Sequence, residues 1–169
     1  MSTDSPPNLE PRDNTVIILY VKTRDENGTI INLDQTNIAA NVTMGDTSGD
    51  ALNDDDGNEQ YYQTQVEKGG TVTWIGAINN VGSAKRDFVI ITGITAITPP
   101  NGISTPRGGP SGGNDASYFL ANIPANPTSD TVDYTVNFDV FWIDQGTDGN
   151  PVIVQEAIGL SIDPQLRIH

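Results

Sequence analysis

The sequence predicts an all-β fold, an antiparallel Greek-key sandwich of about eight strands. Three observations predict it. Residues 131–143 carry the clearest alternation: Val132, Tyr134, Val136, Phe138, Val140 and Trp142 share one parity, and Asp133, Thr135, Asn137 and Asp139 share the other. That is the period of a strand with one buried face. Short apolar runs recur along the chain, separated by Gly, Pro, Asn and Asp clusters. No stretch carries a convincing helical period.

The elements follow in order. Residues 1–14 hold three prolines and no apolar pattern, and read as an extended arm before a single domain spanning 15–169. The first strand, 15–23, is apolar on both parities, with Val16, Ile18 and Tyr20 against Ile17, Leu19 and Val21. Such a strand needs cover on both faces. Asp25-Glu26-Asn27-Gly28 is a hairpin-type turn, with 29–33 as its returning strand and 37–44 as a weaker strand. A polar loop, 45–60, precedes strands at 61–66 and 71–78, with Trp74 on the face of Val72 and Ile78. Residues 79–86 are a polar connection, and 87–97 form a strand that is apolar on both faces over 88–91. Residues 98–115, with four prolines and five glycines, are a long irregular loop inside the domain. Strands at 118–123, 131–143, 151–155 and 157–168 complete the chain. Pro164 in the last one predicts an edge position or a bulge.

Composition excludes several functions. The 169 residues contain no Cys, so disulfides, thiolate metal sites and Cys nucleophiles are absent. Eight Lys+Arg against 22 Asp+Glu give a net charge of −14. Nucleic acid and anionic lipid, being polyanions, are therefore not expected partners. No apolar run is long enough for membrane insertion. The N-terminus has no apolar signal segment, which predicts a cytoplasmic protein, or an extracellular one if a leader has been removed.

The candidate chemistry is sparse. Asp133 and Asp139 lie on one strand face about 20 Å apart, too far to share a catalytic bond. The single His, His169, ends the chain, where a fraying terminus is a poor place for a catalytic triad. The glycine-rich 108–113 segment has neither a following helix nor a Lys to hold phosphate. Asp54, Asp56, Asn58 and Glu59 around Gly57 could hold calcium, but an EF-hand register would put Leu52 and Gln63 at ligand positions. A solvated acidic loop is the simpler reading. Trp142, Tyr61, Tyr62 and Tyr118 are the aromatic types that stack on sugars, although Trp142 and one of Tyr61 and Tyr62 also fit the core pattern. Trp74 and Phe138 are expected in the core. No catalytic, cofactor-binding or metal-binding residue is assigned, and no cofactor is expected.

Two resemblances add to this. Gly70-Thr71-Val72-Thr73-Trp74, followed by Asn79-Asn80, resembles the G-x-x-V-x-W strand of cupredoxins, implying an Ig/cupredoxin-like sandwich. The copper ligands of that family, a Cys and two His, are missing. The apolar run 16–21, the strand around Trp74 and the late Ile162-Asp163-Pro164 together resemble bacterial inclusion-body proteins of the AidA/PixA type. The Asp-Pro ending is also similar to an uncharacterised bacterial family labelled DP-EP. The aromatic-rich segment usual before that dipeptide is replaced here by Gly159-Leu160-Ser161-Ile162. The resemblance implies a β-sandwich that self-assembles, with carbohydrate binding as one idea for such folds. The missing catalytic and metal residues, the two strands apolar on both faces and the arm lead to a non-enzymatic structural or interaction protein. The expected partner is a second copy, in a homo-oligomer or ordered assembly formed through strand faces or edges, with residues 1–23 in the contact. The alternative is a carbohydrate-binding, lectin-like module, which calcium could assist.

Overall fold

A computed structural model describes residues 14–47, 52–54, 61–79, 87–98, 103, 106–109 and 118–169. The expected arm, most of the acidic 53–59 loop, the 80–86 connection and most of the 98–115 loop lie outside these residues. The described residues form two sheets. The first runs β2 (Val42–Asp46), β1 (Asn14–Val21), β5 (Thr71–Ile78), β8 (Tyr118–Asn122), β7 (Arg107–Gly109). The second runs β10 (Pro151–Ile162), β9 (Thr131–Gln145), β11 (Gln165–Ile168), β4 (Tyr61–Val66), β3 (Leu52–Asp54), with β6 (Phe88–Thr98) also paired to β9. One four-residue helical turn, α1 (Ile38–Asn41), precedes β2.

The all-β expectation holds, but the pairing is mixed rather than antiparallel throughout. β1 pairs with β5 in parallel over its whole length, from Asn14↔Thr71 to Val21↔Ile78. β11 pairs in parallel with β4. Periodicity reports which face of a strand is buried and carries no information about its neighbour's direction.

Burial in β1 alternates. Ile17, Leu19 and Val21 are buried, while Ile18 and Tyr20 are half-buried on the outer face. β9 buries the six residues that the alternation predicts, Val132 through Trp142. Trp74, on β5, meets this row: its Nε1 donates to the Tyr134 hydroxyl at 3.1 Å, and the rings pack edge-on with centroids 5.5 Å apart. Both side chains are buried, so the polar edge of each ring finds its partner inside the core.

β10 and β11 form one line along β9. Ile162↔Val136 and Gln165↔Asp133 belong to the same register, interrupted only at Asp163-Pro164. Pro164 has no N–H to give, but its carbonyl accepts from Tyr134 N at 3.1 Å, and Asp163 accepts from Thr135 Oγ1 at 2.7 Å. Pro164 therefore marks a break in the strand, and the β11 half beyond it is interior, between β9 and β4.

Three other expectations need correction. The returning strand at 29–33 is only an isolated Arg24↔Ile30 bridge, because the Asp25 carboxylate takes the Asn27 and Thr29 N–H groups into a turn. The expected strand at 37–44 begins as helix α1 and extends only from Val42. The 98–115 loop contains β7, which adds to the edge of β8.

Candidate interaction surface

The surface is built on a buried polar node. Arg24, just past β1, forms a two-pronged ion pair with Asp87, just before β6: Nε to Oδ2 at 2.8 Å and Nη2 to Oδ1 at 3.1 Å. Thr23 Oγ1 donates to Asp87 Oδ2 at 2.7 Å, and Ile143 N donates to Asp87 Oδ1 at 2.9 Å. Arg24 also donates to the Gly28 and Ile143 carbonyls. Trp142 Nε1 donates to the Thr23 carbonyl at 2.9 Å. Burial alone would raise the Asp87 carboxyl. The hydrogen bonds from Arg24, Ile143 N and Thr23, with the Arg24 charge, outweigh it and hold the group below the usual range. The Arg24 guanidinium is raised in turn by its bonds to Asp87. This node fixes the ends of β1, β6 and β9 relative to one another.

Directly outward from it, the outer face of the second sheet turns apolar. Phe88 of β6 stands opposite Phe141 of β9, and their rings stack with centroids 4.8 Å apart and planes 17° from parallel. Ile143 of β9 stands opposite Ile153 of β10. Around them Ile153, Val154 and Ile158 of β10 are 55, 48 and 63% exposed, while Val152, opposite Asp144 on the other parity, is 41% exposed at the strand's end. Two register shifts in β10, between Ile153 and Gln155 and between Ala157 and Leu160, turn apolar residues on both parities outward. Gly159, at φ 74°, takes the left-handed conformation that the second bulge requires, and its N–H is held by Asp139 Oδ1 at 2.8 Å.

The other end of the same face is polar and internally bonded. Gln63 Nε2 donates to Gln165 Oε1, and Gln165 Nε2 donates to Asp133 Oδ1 at 2.8 Å, a ladder across β4, β11 and β9. Asn137 Nδ2 donates to Thr95 Oγ1 at 2.9 Å. Asp133 and Asp139, the carboxylates singled out from sequence, thus hold Gln165 and the β10 bulge respectively, and the structure does not bring them together.

Other candidates fall as follows. The backbone of His169 is tied at both ends: its N–H bonds the Val66 carbonyl and its own carbonyl accepts from Lys68 N, both at 3.0 Å. Trp142 and Tyr62 are buried, and burial pushes the Tyr62 hydroxyl up to about 12. Tyr118 is half-buried, and the side chain of Tyr61 lies outside the described residues. Among the described residues no three His, Asp or Glu side chains gather as a metal site, while the acidic 53–59 loop is described only in the backbone of β3. Sequence reading misses the exposed strip. Its visible signal is Val152-Ile153-Val154, which is apolar on both parities.

Comparison with known proteins gives the architecture. No family model matches the sequence, and no curated protein matches it. Among solved structures, the chain resembles the PixA inclusion body protein from Burkholderia cenocepacia, with a TM-score of 0.54 at 7% identity. The match covers 98% of this chain and 100% of that one. The chain thus has the fold of a PixA-type inclusion body protein, in agreement with the resemblance read from its strand motifs.

Proposed function

We propose that the protein is a non-enzymatic structural protein that associates with copies of itself through the outer face of its second sheet. One observation carries this reading: among the described residues, four of the six exposed large apolar side chains, Phe88, Ile153, Val154 and Ile158, lie at one end of that face, on β10 and beside the Phe88–Phe141 stack. Contiguous exposed apolar side chains of this kind mark contact sites in folded proteins. The fold shared with an inclusion body protein supports the same reading. The contact expected at residues 1–23 moves accordingly. β1 is interior to its sheet, and Leu19 is 1% exposed, so Leu19→Asp would unfold the protein rather than dissociate it. The lectin-like alternative gains no support: of its aromatic candidates Trp142 and Tyr62 are buried and Tyr118 is half-buried, and the side chain of Tyr61 lies outside the described residues.

The test is sedimentation velocity at micromolar and higher concentrations on wild type, Ile153→Asp and Phe88→Asp. Wild type is expected to sediment as an oligomer, and both variants, with unchanged circular dichroism, as smaller species. A wild type that stays monomeric across the range removes the proposal.

A further inference from the structure

Among the described residues, β10 has β9 on one side only, so it is an edge strand of the second sheet. An edge with exposed Val and Ile invites another strand to pair with it. The loop between β1 and α1 is placed against that invitation. Gln35 Nε2 donates to the Ser161 carbonyl at 2.9 Å, and Gln35 Oε1 accepts from Ser161 N at 3.0 Å. One side-chain amide thereby satisfies both outward backbone groups of one edge residue, as the peptide of a neighbouring strand would. Nearer the start of β10, Gln155 Nε2 donates to Asn32 Oδ1 at 2.8 Å, tying the same loop to the edge a second time. The rest of the edge is broken up. Pro151 has no N–H, and bulges follow Ile153 and Ala157. Between them stands Glu156, the single charge in β10.

We propose that residues 32–35 are an edge guard: they close the β10 edge to strand addition by a second copy of this chain. The inference is independent of whether the face associates. It concerns which hydrogen-bonding edge is closed, and Gln35 is exposed, so its removal leaves the core untouched.

The experiment is done in the Phe88→Asp background, where the face contact is weakened on β6, away from the β10 edge. Two measurements are made: amide hydrogen exchange at Ser161, and sedimentation over a concentration series. In the parent, the Ser161 amide is expected to be protected although no described strand lies beside it. Asn32→Ala/Gln35→Ala should speed its exchange about tenfold at low concentration. At high concentration the same variant should form larger species in which that amide is protected again. Gln35→Glu loses the amide donor but leaves a charge on the edge, and is expected to stay at the parent's size. An unprotected Ser161 amide in the parent overturns the guard, as does an opened variant that remains the parent's size at every concentration. A wild type that is monomeric, with a guard-open variant that assembles, upholds the guard and rejects the face contact. A wild type that assembles while the guard-open variant matches its parent does the reverse.

Discussion

Single side chains divide here into those that the alternation of the chain places and those that only the tertiary fold can place. Trp74 and Phe138 are of the first kind, buried as their parity predicts. Replacing either by Ala should cost about 3–5 kcal/mol in urea-unfolding free energy, the range for large aromatic truncations. A loss below about 1 kcal/mol would show that the cavity collapses or that the ring is not in the core. Arg24 and Asp87 are of the second kind. They stand 63 residues apart, Arg24 between the first strand and its turn and Asp87 at the head of the strand read at 87–97, and nothing in either segment announces the other. Asp87→Ala leaves a buried guanidinium without its partner and should cost about 3–5 kcal/mol, whereas Arg24→Met/Asp87→Leu should cost much less than the sum of its single changes. The pH sign follows from the depressed Asp87 carboxyl. Its contribution is present above the ordinary Asp value of about 3.9 and is lost as pH falls through the lower folded value. Wild type should therefore lose more stability than Asp87→Asn on going from pH 5 to pH 2, by roughly the same few kcal/mol or less. Equal losses would show that the carboxyl is not depressed.

At the scale of elements, strands are legible where one face is buried and obscure where direction or edge decides. β4 and β5 begin and end where their apolar alternation does, and β9 extends two residues past it. The parallel pairing of β1 with β5 is hidden because both strands would show the same alternation in an antiparallel sheet. The candidate surface is half visible. Val152-Ile153-Val154 is an apolar run, but its exposure follows from β10 lying at an edge and from two bulges that flip its parity, and neither is encoded locally. Two glycines show how tightly elements are set. At Gly76 on β5 an added Cβ would lie 2.7 Å from Val89 Cγ1 and 3.1 Å from the Val89 carbonyl oxygen, where β6 crosses. At Gly159 an added Cβ meets nothing within 4 Å, and only the left-handed backbone resists it. Gly159→Ala should therefore cost about 1–2 kcal/mol, while Gly76→Ala should cost more and be partly relieved by Val89→Ala. A Gly76→Ala cost that Val89→Ala leaves unchanged would show that the carbonyl, not the side chain, sets the spacing.

For the whole molecule, charge and apolar surface act in opposite directions. A net charge of −14 makes two copies repel at a distance, while the strip on β10, β9 and β6, in the contact proposed above, would attract them. Glu156 and Asp139 lie on that same outer face, opposite Phe141 and Ile90, so approach brings like charges together at the rim of the apolar contact. Salt screens the repulsion, with a Debye length of about 30 Å at 0.01 M and about 8 Å at 0.15 M. It leaves the burial of Val and Ile largely unaffected, or strengthens it where the salt is excluded from apolar surface. Association through this face should therefore tighten as sodium chloride rises from about 0.01 to about 0.3 M, by roughly tenfold or more in dissociation constant. Glu156→Gln should tighten it at low salt and flatten the dependence. Both are read by light scattering over a dilution series at each ionic strength. A contact made of Lys or Arg against Asp or Glu would show the opposite slope, weakening as salt rises, and that result would assign the assembly to the charged parts of the surface instead of the β10 strip.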